Sequence, residues 1–249
     1  MTHDANPLVS TESRFTQDWD PLDKVGGYHW GAIDNLPSIL QSGLLSHNEV
    51  HKKNIQHVDV SQAEVQVRRA TLSLYRGGPP LHDYANLSWH PRNAALLRVV
   101  RQKTAIDLVV TEYRPEVLQL PQARAVPQHA VSGVLPYAHS SHGQIWWARQ
   151  QHLALIQNNF PDWDLDSWSG YGVDMWGQPT NTNALKKSLL QAEVLVPRRI
   201  SSEHISRFYV KSVEVAQRVV SAMLTAEAAG WKLRPIPIVV CGHLFFETW

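Results

Sequence analysis

Alternating apolar and polar positions predict a strand around Glu193. The stretch 185–200, LKKSLLQAEVLVPRRI, is typical of a basic helix end that runs into a strand. One face of that strand carries Glu193 between Gln191 and Leu195, and the other is apolar: Ala192, Val194 and Val196. Burial of the apolar face would leave Glu193 facing a cleft or solvent. The pattern favours a solvated carboxylate, because Glu is seldom fully buried, over a catalytic acid on a rigid strand.

The same kind of pattern predicts helices and strands on both sides of this stretch. The fold is predicted to begin at Val25, with a short strand and a helix that Asp34 caps and Gly43 ends. A polar connection over 47–57 leads to a second helix capped by Ser61. Further helices are predicted at 94–104 and from Val213 to Gly230, and further strands in YANL, DLVVTEY, ARAVPQHAV, FYVKS and PIPIVVCGHLFFETW.

Two segments lack a clear period. Residues 1–22 are predicted to be a poorly ordered lead-in, and residues 131–183 an irregular insertion. That insertion is rich in tryptophan, which serves either as core or as a platform for stacking bases: Trp146, Trp147, Trp163, Trp168 and Trp176. With no linker or repeat visible, residues 1–249 are predicted to form one mixed α+β domain.

Composition narrows the class of protein. The chain has 249 residues, 43% of them hydrophobic, which is enough for a core, and its net charge of +1 neither demands nor excludes nucleic acid. The single cysteine, Cys241, excludes an internal disulfide and is predicted to be a small core residue. Without a membrane-length apolar run or an apolar leader, the expectation is a soluble, cytoplasmic protein that does not contact membranes.

Several common sites are not predicted. There is no GxGxxG or GxxxxGK loop for phosphates, and no GxSxG nucleophile motif. His139, His142 and His152 lack carboxylate partners at ligand spacing, so no metal site is predicted.

Four stretches in this order carry a resemblance: YHWGAIDNLPSILQSGLLS, PLHDYANLSWHPRNAALL, VPQHA and LQAEVLVP. Together they resemble the DarT family of DNA ADP-ribosyltransferase toxins over roughly residues 25–249, with 131–183 matching poorly. The resemblance implies an ADP-ribosyltransferase-like α+β fold, with two facing, mostly antiparallel sheets around a NAD cleft and helices around them. It also implies transfer of ADP-ribose from NAD onto a base of single-stranded DNA.

By this resemblance Glu193 is the catalytic carboxylate, which would stabilise the oxocarbenium-like centre formed when the bond from nicotinamide to ribose breaks. Arg69 resembles the family's cleft arginine, with Arg68 as its neighbouring competitor, although an arginine on a helix is by pattern most often solvated. His129 resembles a histidine beside the reacting centre, and a lone strand histidine is otherwise a bland surface group.

The resemblance also implies contacts to NAD. His29, with Trp30 and Gly31 beside it, corresponds to the nicotinamide side of the cofactor cleft, and Asn35 to a contact at the start of the first helix. Tyr84 resembles an aromatic residue that packs near the nicotinamide. The alternatives are that Asn35 is only a capping partner of Asp34 and that Tyr84 is only core.

The nucleic acid is assigned to His90, Arg92, Trp146 and Trp147. Trp89 and His90 replace an aromatic residue and an Asn of the family, and Ala95 and Leu96 stand where the family often has Met. These departures lie in the substrate-facing segment, so the target stays open, with guanine slightly ahead of thymine because HDYANLSWHPRN keeps NL and RN. Arg92 could pair with guanine's acceptor edge or bind a phosphate.

The expected partners are single-stranded DNA, NAD and an antitoxin that is an ADP-ribosyl-DNA hydrolase, as in a toxin–antitoxin pair. Two alternatives stay open. The same chemistry could act on RNA or protein, or the chain could be an inactive module that binds single-stranded nucleic acid through its tryptophan-rich segment.

Overall fold

The computed structural model describes residues 9–11, 25–91, 94–126, 130–132 and 189–245, together with residues 148, 152, 154 and 158. The strands in these residues are β1 (Val9–Thr11), β2 (Gly27–Ala32), β3 (Leu44–Leu45), β4 (Tyr84–Ser88), β5 (Leu108–Tyr113), β6 (Arg124–Val126), β7 (Glu193–Pro197), β8 (Arg199–Ile200), β9 (Ile205–Val210) and β10 (Ile238–Val240). The helices are α1 (Leu36–Ser42), α2 (His47–Lys52), α3 (Ala63–Thr71), α4 (Ala94–Gln102) and α5 (Val213–Ala228).

Eight described strands form a sheet in the order β1-β10-β9-β5-β2-β4-β7-β6, and β3 pairs with β8 separately. The large sheet has two halves. β2 runs antiparallel to β5 from Gly27 to Ala32, but it meets β4 through one registered pair, Tyr28 with Ser88. The predicted α+β fold with two sheets is therefore present as a five-stranded and a three-stranded half joined at that pair. The pairings are mostly antiparallel, and the exceptions are β1–β10 and β10–β9 at one edge.

The main core lies under α5, which packs against α1, β9 and β10. Its apolar stripe is buried as the helical period predicts: Val215, Ala216, Val219, Met223 and Ala226. Gly230, at φ 88°, follows the helix, as expected for a left-handed stop. Cys241 is buried, which confirms its prediction as a core residue.

The local predictions failed where tertiary contacts decide the structure. Asp34 does not cap α1: a 3₁₀ turn, Ile33–Asn35, precedes the helix, and Asp34 instead pairs with Arg218 at 2.7 Å. The polar connection over 47–57 contains α2, which is capped by Ser46, whose hydroxyl accepts a bond from the Glu49 N–H. Polar composition hid this helix, because α2 buries none of its residues.

The start of α3 and the predicted lead-in also differ from expectation. Gln62, and not Ser61, is the residue before α3, and its side chain makes no capping bond. Within the lead-in predicted for residues 1–22, Val9–Thr11 forms the edge strand β1 beside β10. The remainder of that lead-in lies outside the described residues, as does most of the insertion at 131–183.

Candidate active site

A cleft of about 560 Å³ lies beside the junction between the two halves of the sheet. Its lining comes from β2, from the α2 and α3 helices, and from the cleft-facing side chains of β4 and β7. That volume is within the range of sites that hold small molecules and cofactors. The geometry follows from the single pair between β2 and β4, since strands that separate after one pair leave space between their side chains.

Glu193 is the first residue of β7 and lies in this cleft with only 5% of its surface exposed. Its Oε2 accepts a hydrogen bond from Arg69 Nη1 at 3.0 Å, and its Oε1 accepts one from the Ala130 N–H at 3.2 Å. β7 is flanked by β4 and β6, with Ser88 and Val126 opposite Glu193, so the side chain has no solvated edge. The interpretation as a solvated strand carboxylate is wrong, and the prediction that Glu193 faces a cleft is confirmed.

Arg69 lies in the last turn of α3 and is 6% exposed, so the expectation of a solvated helix arginine is also wrong. Arg68, the neighbouring candidate, donates instead to the carbonyl of Val131. Of the two arginines, Arg69 therefore pairs with Glu193. Its Nη2 is buried and has no hydrogen-bond partner among the described residues. A buried guanidinium nitrogen left in this state costs free energy unless a ligand completes it.

The residues assigned to NAD by sequence line the same cleft: His29, Trp30, Gly31, Asn35 and Tyr84. Burial lowers the pKa of His29 to about 4, opposed by a hydrogen bond to the backbone at Asn86, so the imidazole is neutral at neutral pH. Asn35 is not a capping partner. Its amide donates to Val58 O at 2.9 Å and accepts from Val58 N at 2.7 Å, which ties the segment before α3 to the start of α1.

Tyr84 belongs both to the core and to the cleft, so the two interpretations of this residue are compatible. It is 5% exposed and packs with Leu81, Val126 and Leu195. Burial, followed by the neighbouring phenol of Tyr75, raises the pKa of Tyr84 to about 12. The hydroxyl is therefore neutral at neutral pH, and its hydrogen bond with the Tyr75 phenol contributes to the same shift.

Sequence reasoning missed a wall of histidines: His47, His57 and His82 line the cleft, and His51 packs against His47 and His57. The rings of His47 and His82 lie 4.1 Å apart, and His47 Nε2 is 2.9 Å from His51 Nε2. His82 Nε2 is also 2.9 Å from Gln66 Oε1. The i, i+4 spacing of His47 and His51 was the available signal, since it places both rings on one side of a helix.

Electrostatics favour the neutral form of two rings of this wall, His47 and His82. Burial lowers the pKa of His47 to about 4, and the neighbouring imidazoles of His82 and His51 lower it further than burial alone would. The pKa of His82 is lowered by burial and then by the charge of Arg69. The imidazoles of His47 and His82 are therefore uncharged at neutral pH.

Some predicted site residues are not brought to the cleft. His90 is 2% exposed and its Nε2 lies 3.3 Å from that of His152, with the ring of Trp89 against His152. The assignment of His90 to nucleic acid is therefore corrected: its ring fills a buried cluster with no surface to offer. His129, Arg92, Trp146 and Trp147 lie outside the described residues, as do His139 and His142.

Two absences hold for the part of the chain that the structure describes. It contains no group of three or more His, Cys, Asp or Glu residues placed to hold a metal ion. Among its helices, none combines the length and the apolar character that crossing a bilayer requires.

Comparison with known proteins places this cleft in context. The chain is 26% identical over 220 residues to a DNA ADP-ribosyl transferase–DNA ADP-ribosyl glycohydrolase fusion protein of Thermosipho africanus (strain H17ap60334). This match covers 88% of the chain and 49% of that relative, so the chain spans about half the length of the curated relative.

Solved structures show the same fold. The structure of Thermosipho africanus DarTG in complex with ADP-ribose matches with a TM-score of 0.64 and 24% identity, covering 90% of this chain and 51% of that one. Thermus sp. 2.9 DarT in complex with ADP-ribosylated ssDNA matches with a TM-score of 0.63 and 20% identity, over 94% of this chain and 99% of that one. The structure of the same Thermus protein with NAD⁺ matches with a TM-score of 0.59 and 19% identity, over 89% and 96% of the two chains.

Residues 28–246 match the family model described as ssDNA thymidine ADP-ribosyltransferase, DarT. That range contains the ion pair of Arg69 with Glu193 and the cleft around it. The protein is a member of the DarT family.

Proposed function

We propose that this protein transfers ADP-ribose from NAD onto a base of single-stranded DNA, with Glu193 as the catalytic carboxylate. The observation that carries the proposal is the buried pair of Glu193 and Arg69 in a cleft of cofactor size, with one nitrogen of Arg69 left without a partner among the described residues. A carboxylate fixed in this way is suited to stabilise positive charge that develops on a ribose.

NAD fits the side chains of the cleft. Arg69 Nη2 can donate to a ribose or phosphate oxygen, and the neutral ring of His29 can contact the nicotinamide side without repelling its positive charge. Asn35 has both amide atoms bonded to Val58, so its role is to hold the cleft wall in place. Tyr84 lines the cleft and contributes its aromatic ring to the cleft wall.

The chemistry can be written with every atom accounted for. The bond between nicotinamide nitrogen and ribose C1′ breaks, and nicotinamide leaves as a neutral molecule with the bonding electron pair. Glu193 stabilises the oxocarbenium-like centre, a nitrogen of the DNA base attacks C1′, and the proton of that nitrogen passes to the Glu193 carboxylate. The adjacent cation of Arg69, at 3.0 Å, favours the ionised form of Glu193 that both roles require.

Thymine is our first candidate for the modified base, because the matching family model is described as acting on ssDNA thymidine. The expectation of guanine depended on Arg92 and its neighbours, and Arg92 lies outside the described residues. Guanine therefore stays a prediction for the same experiment. Single-stranded substrate is expected in both cases, since pairing hides the nitrogen that must react and opening a duplex costs free energy.

A hydrolase that removes ADP-ribose from DNA is the proposed partner. The Thermosipho africanus relative is by its description a fusion of a DNA ADP-ribosyl transferase with a DNA ADP-ribosyl glycohydrolase, and the chain matches 49% of its length. We infer that the present chain acts as the toxin half of such a pair, with the hydrolase activity supplied by an antitoxin.

The test is incubation with NAD labelled in the adenylate phosphate and with single strands in which thymine or guanine is the only candidate base. Transfer of label to a thymine strand, its loss in the Glu193→Gln variant, and its removal by a DNA ADP-ribosyl glycohydrolase would support the proposal. A matched duplex, an RNA strand and a protein are offered in the same assay, and transfer of label to any of them would support that substrate instead. Binding of the strand without any transfer would instead favour an inactive nucleic-acid-binding module.

A further inference from the structure

An exposed aromatic residue lies next to the cleft on a tightly bonded turn. Tyr75 is 41% exposed, and it begins the turn 75–78, in which the Gly78 N–H donates to Tyr75 O at 2.9 Å. Gly77 has φ 78°, a conformation that favours glycine. Ser73 Oγ donates to Gly78 O at 2.9 Å, and Ser73 and Pro80 form a β-bridge. The turn therefore holds Tyr75 in a fixed position.

Contacts on the Tyr75 ring fix its orientation as well. The backbone of Gly78 lies so close that a Cβ at that position would approach the ring to 2.8 Å. The guanidinium of Arg124 lies over the ring at 5.8 Å from its centroid. The phenol of Tyr75 also interacts with Tyr84, which lines the cleft. An exposed ring restrained on these sides loses little conformational entropy when a ligand stacks on it.

Strand register places Arg124 on the same face as the catalytic candidate. Arg124 pairs with Leu195 and Val126 pairs with Glu193 across β6 and β7. Side chains of directly paired residues share a face, and residues two apart along a strand are about 7 Å apart on it. Arg124 is therefore on the same face of the sheet as Glu193, one step along from Val126, and its guanidinium lies over the Tyr75 ring.

The charges around Tyr75 suit a polyanion. Arg76 is exposed in the same turn, and Arg68 is exposed and lines the cleft. Asp83 also lies near Tyr84, but its carboxylate accepts a bond from Asn48 Nδ2 at 2.6 Å, on the side of α2. Arginines interleaved with a rigid aromatic ring are the elements with which proteins bind single-stranded nucleic acid.

We propose that Tyr75 and Arg124 form a docking surface for single-stranded DNA, on which the strand beside the modified nucleotide is held. Tyr75 stacks on a base next to the reacting one, and Arg124 binds the backbone phosphate between them. This inference rests on the proposed function, because it takes the base that reacts to lie at Glu193. It assigns strand binding to residues other than the tryptophan-rich insertion.

The test measures binding of a fluorescein-labelled, mixed-sequence single-stranded DNA 12-mer by anisotropy, in the Glu193→Gln background so that no transfer occurs. Tyr75→Ala should weaken binding by about five- to a hundredfold, the range for loss of one stacked base. Tyr75→Phe, which keeps the ring, should bind within twofold of the background. Trp231→Ala is the matched control, because Trp231 is an exposed aromatic with the same 41% exposure and does not line the cleft.

Arg124→Gln should weaken binding at least fivefold and reduce the slope of log affinity against log salt by about one, as expected for one lost phosphate contact. NAD binding, measured by calorimetry, should be unchanged in all of these variants, and near-ultraviolet circular dichroism checks their fold. The surface is overturned if Tyr75→Ala binds DNA within twofold of the background, if Tyr75→Phe is as weak as Tyr75→Ala, or if NAD binding falls in parallel.

The outcomes also separate this inference from the proposed function. If the wild-type protein binds the strand through Tyr75 but transfers no ADP-ribose, the docking surface is supported and the proposed activity is contradicted. If the protein transfers ADP-ribose and neither Tyr75→Ala nor Arg124→Gln changes strand binding or transfer, the proposed activity is supported and the docking surface is contradicted. If Tyr75→Ala weakens binding of a single-stranded RNA 12-mer more than it weakens binding of the DNA, DNA is contradicted as the occupant of the surface.

Discussion

The two walls of the cleft differ in how they treat charge. On one wall a carboxylate and a guanidinium are both buried and paired with each other, with side-chain exposures of 7% for Arg69 and 6% for Glu193. On the other wall burial and mutual repulsion hold His47 and His82 neutral. The comparison teaches that a buried charge needs a partner of opposite sign within reach, and that groups without one lose their charge instead.

The largest expected effect is on catalysis at the charged wall. Glu193→Gln keeps the shape and one acceptor oxygen, enough for the bond from Arg69 or for that from the Ala130 N–H, but removes the negative charge and the base. We expect ADP-ribose transfer to fall by at least about a hundredfold. The measurement is label transferred to a thymine-containing single strand, with circular dichroism as the check on folding. An activity within a few-fold of the wild type would exclude Glu193 as the catalytic carboxylate.

The next effect separates Arg69 from Arg68 by stability. Arg69→Ala leaves the carboxylate of Glu193 buried without its cation, so we expect the free energy of unfolding to fall by about 3–5 kcal/mol, with loss of transfer. Arg68→Ala loses an exposed side chain and its bond to Val131 O, at a cost of about 1 kcal/mol. Urea unfolding of both variants measures the difference. Equal losses would show that burial does not distinguish the two arginines.

The neutral wall predicts a dependence of stability on pH. The pKa of His47 is lowered from 6.5 to about 4 in the folded protein, so the unfolded chain binds the proton more readily. The contribution of His47 to stability is therefore fully present above pH 6.5 and is lost as the pH falls toward 4. Between pH 6.5 and 4, the unfolding midpoint should therefore fall less in His47→Asn than in the wild type.

The control for this pH experiment is His204→Asn, a histidine outside the wall. Its stability should fall with pH as steeply as that of the wild type. If His47→Asn loses stability between pH 6.5 and 4 as steeply as the wild type does, the protonation of His47 contributes nothing to the pH dependence.

The smallest expected effect concerns an ion pair outside the cleft. Arg218 Nη2 lies 2.7 Å from Asp34 Oδ1, which is closer than the 3.0 Å between Arg69 Nη1 and Glu193 Oε2. The side chains of Arg218 and Asp34 are, however, 46% and 61% exposed. Asp34→Ala should therefore change the free energy of unfolding by about 0–1 kcal/mol, and less at high salt. Thermal unfolding at two salt concentrations measures it. A loss as large as that of Arg69→Ala would show that distance, and not burial, governs these pairs.

Much of the candidate site could be predicted because it depends on local pattern. Alternation around Glu193 predicted a strand whose carboxylate faces a cleft or solvent and favoured solvent; β7 is that strand, and its carboxylate faces the cleft. Asn35 and His29 line the cleft from the first strand and the turn after it, where the resemblance placed them. These residues stand on elements whose period is visible in a short window of sequence.

Other parts of the site could not be predicted, because they depend on contacts between distant residues. Arg69 and Glu193 are 124 positions apart, and only packing of α3 over the cleft decides that Arg69 is buried while Arg68 is exposed. His90 is a polar residue, yet its ring is buried against His152, which in turn packs against Trp89. The histidine wall joins α2 to the turn before β4, and no window of sequence contains both.

The sequence by itself determined the α+β class, the helices α1, α3, α4 and α5 and the strand that presents Glu193, but not α2 or β1, because hydrophobic period and turn residues act over a few positions. The tertiary structure decided which charges are buried, which imidazoles are neutral and which face of Tyr75 is restrained. The physical reason is that desolvation and Coulomb interactions depend on separations in space, which the strand order β5-β2-β4-β7 sets between residues far apart in the chain.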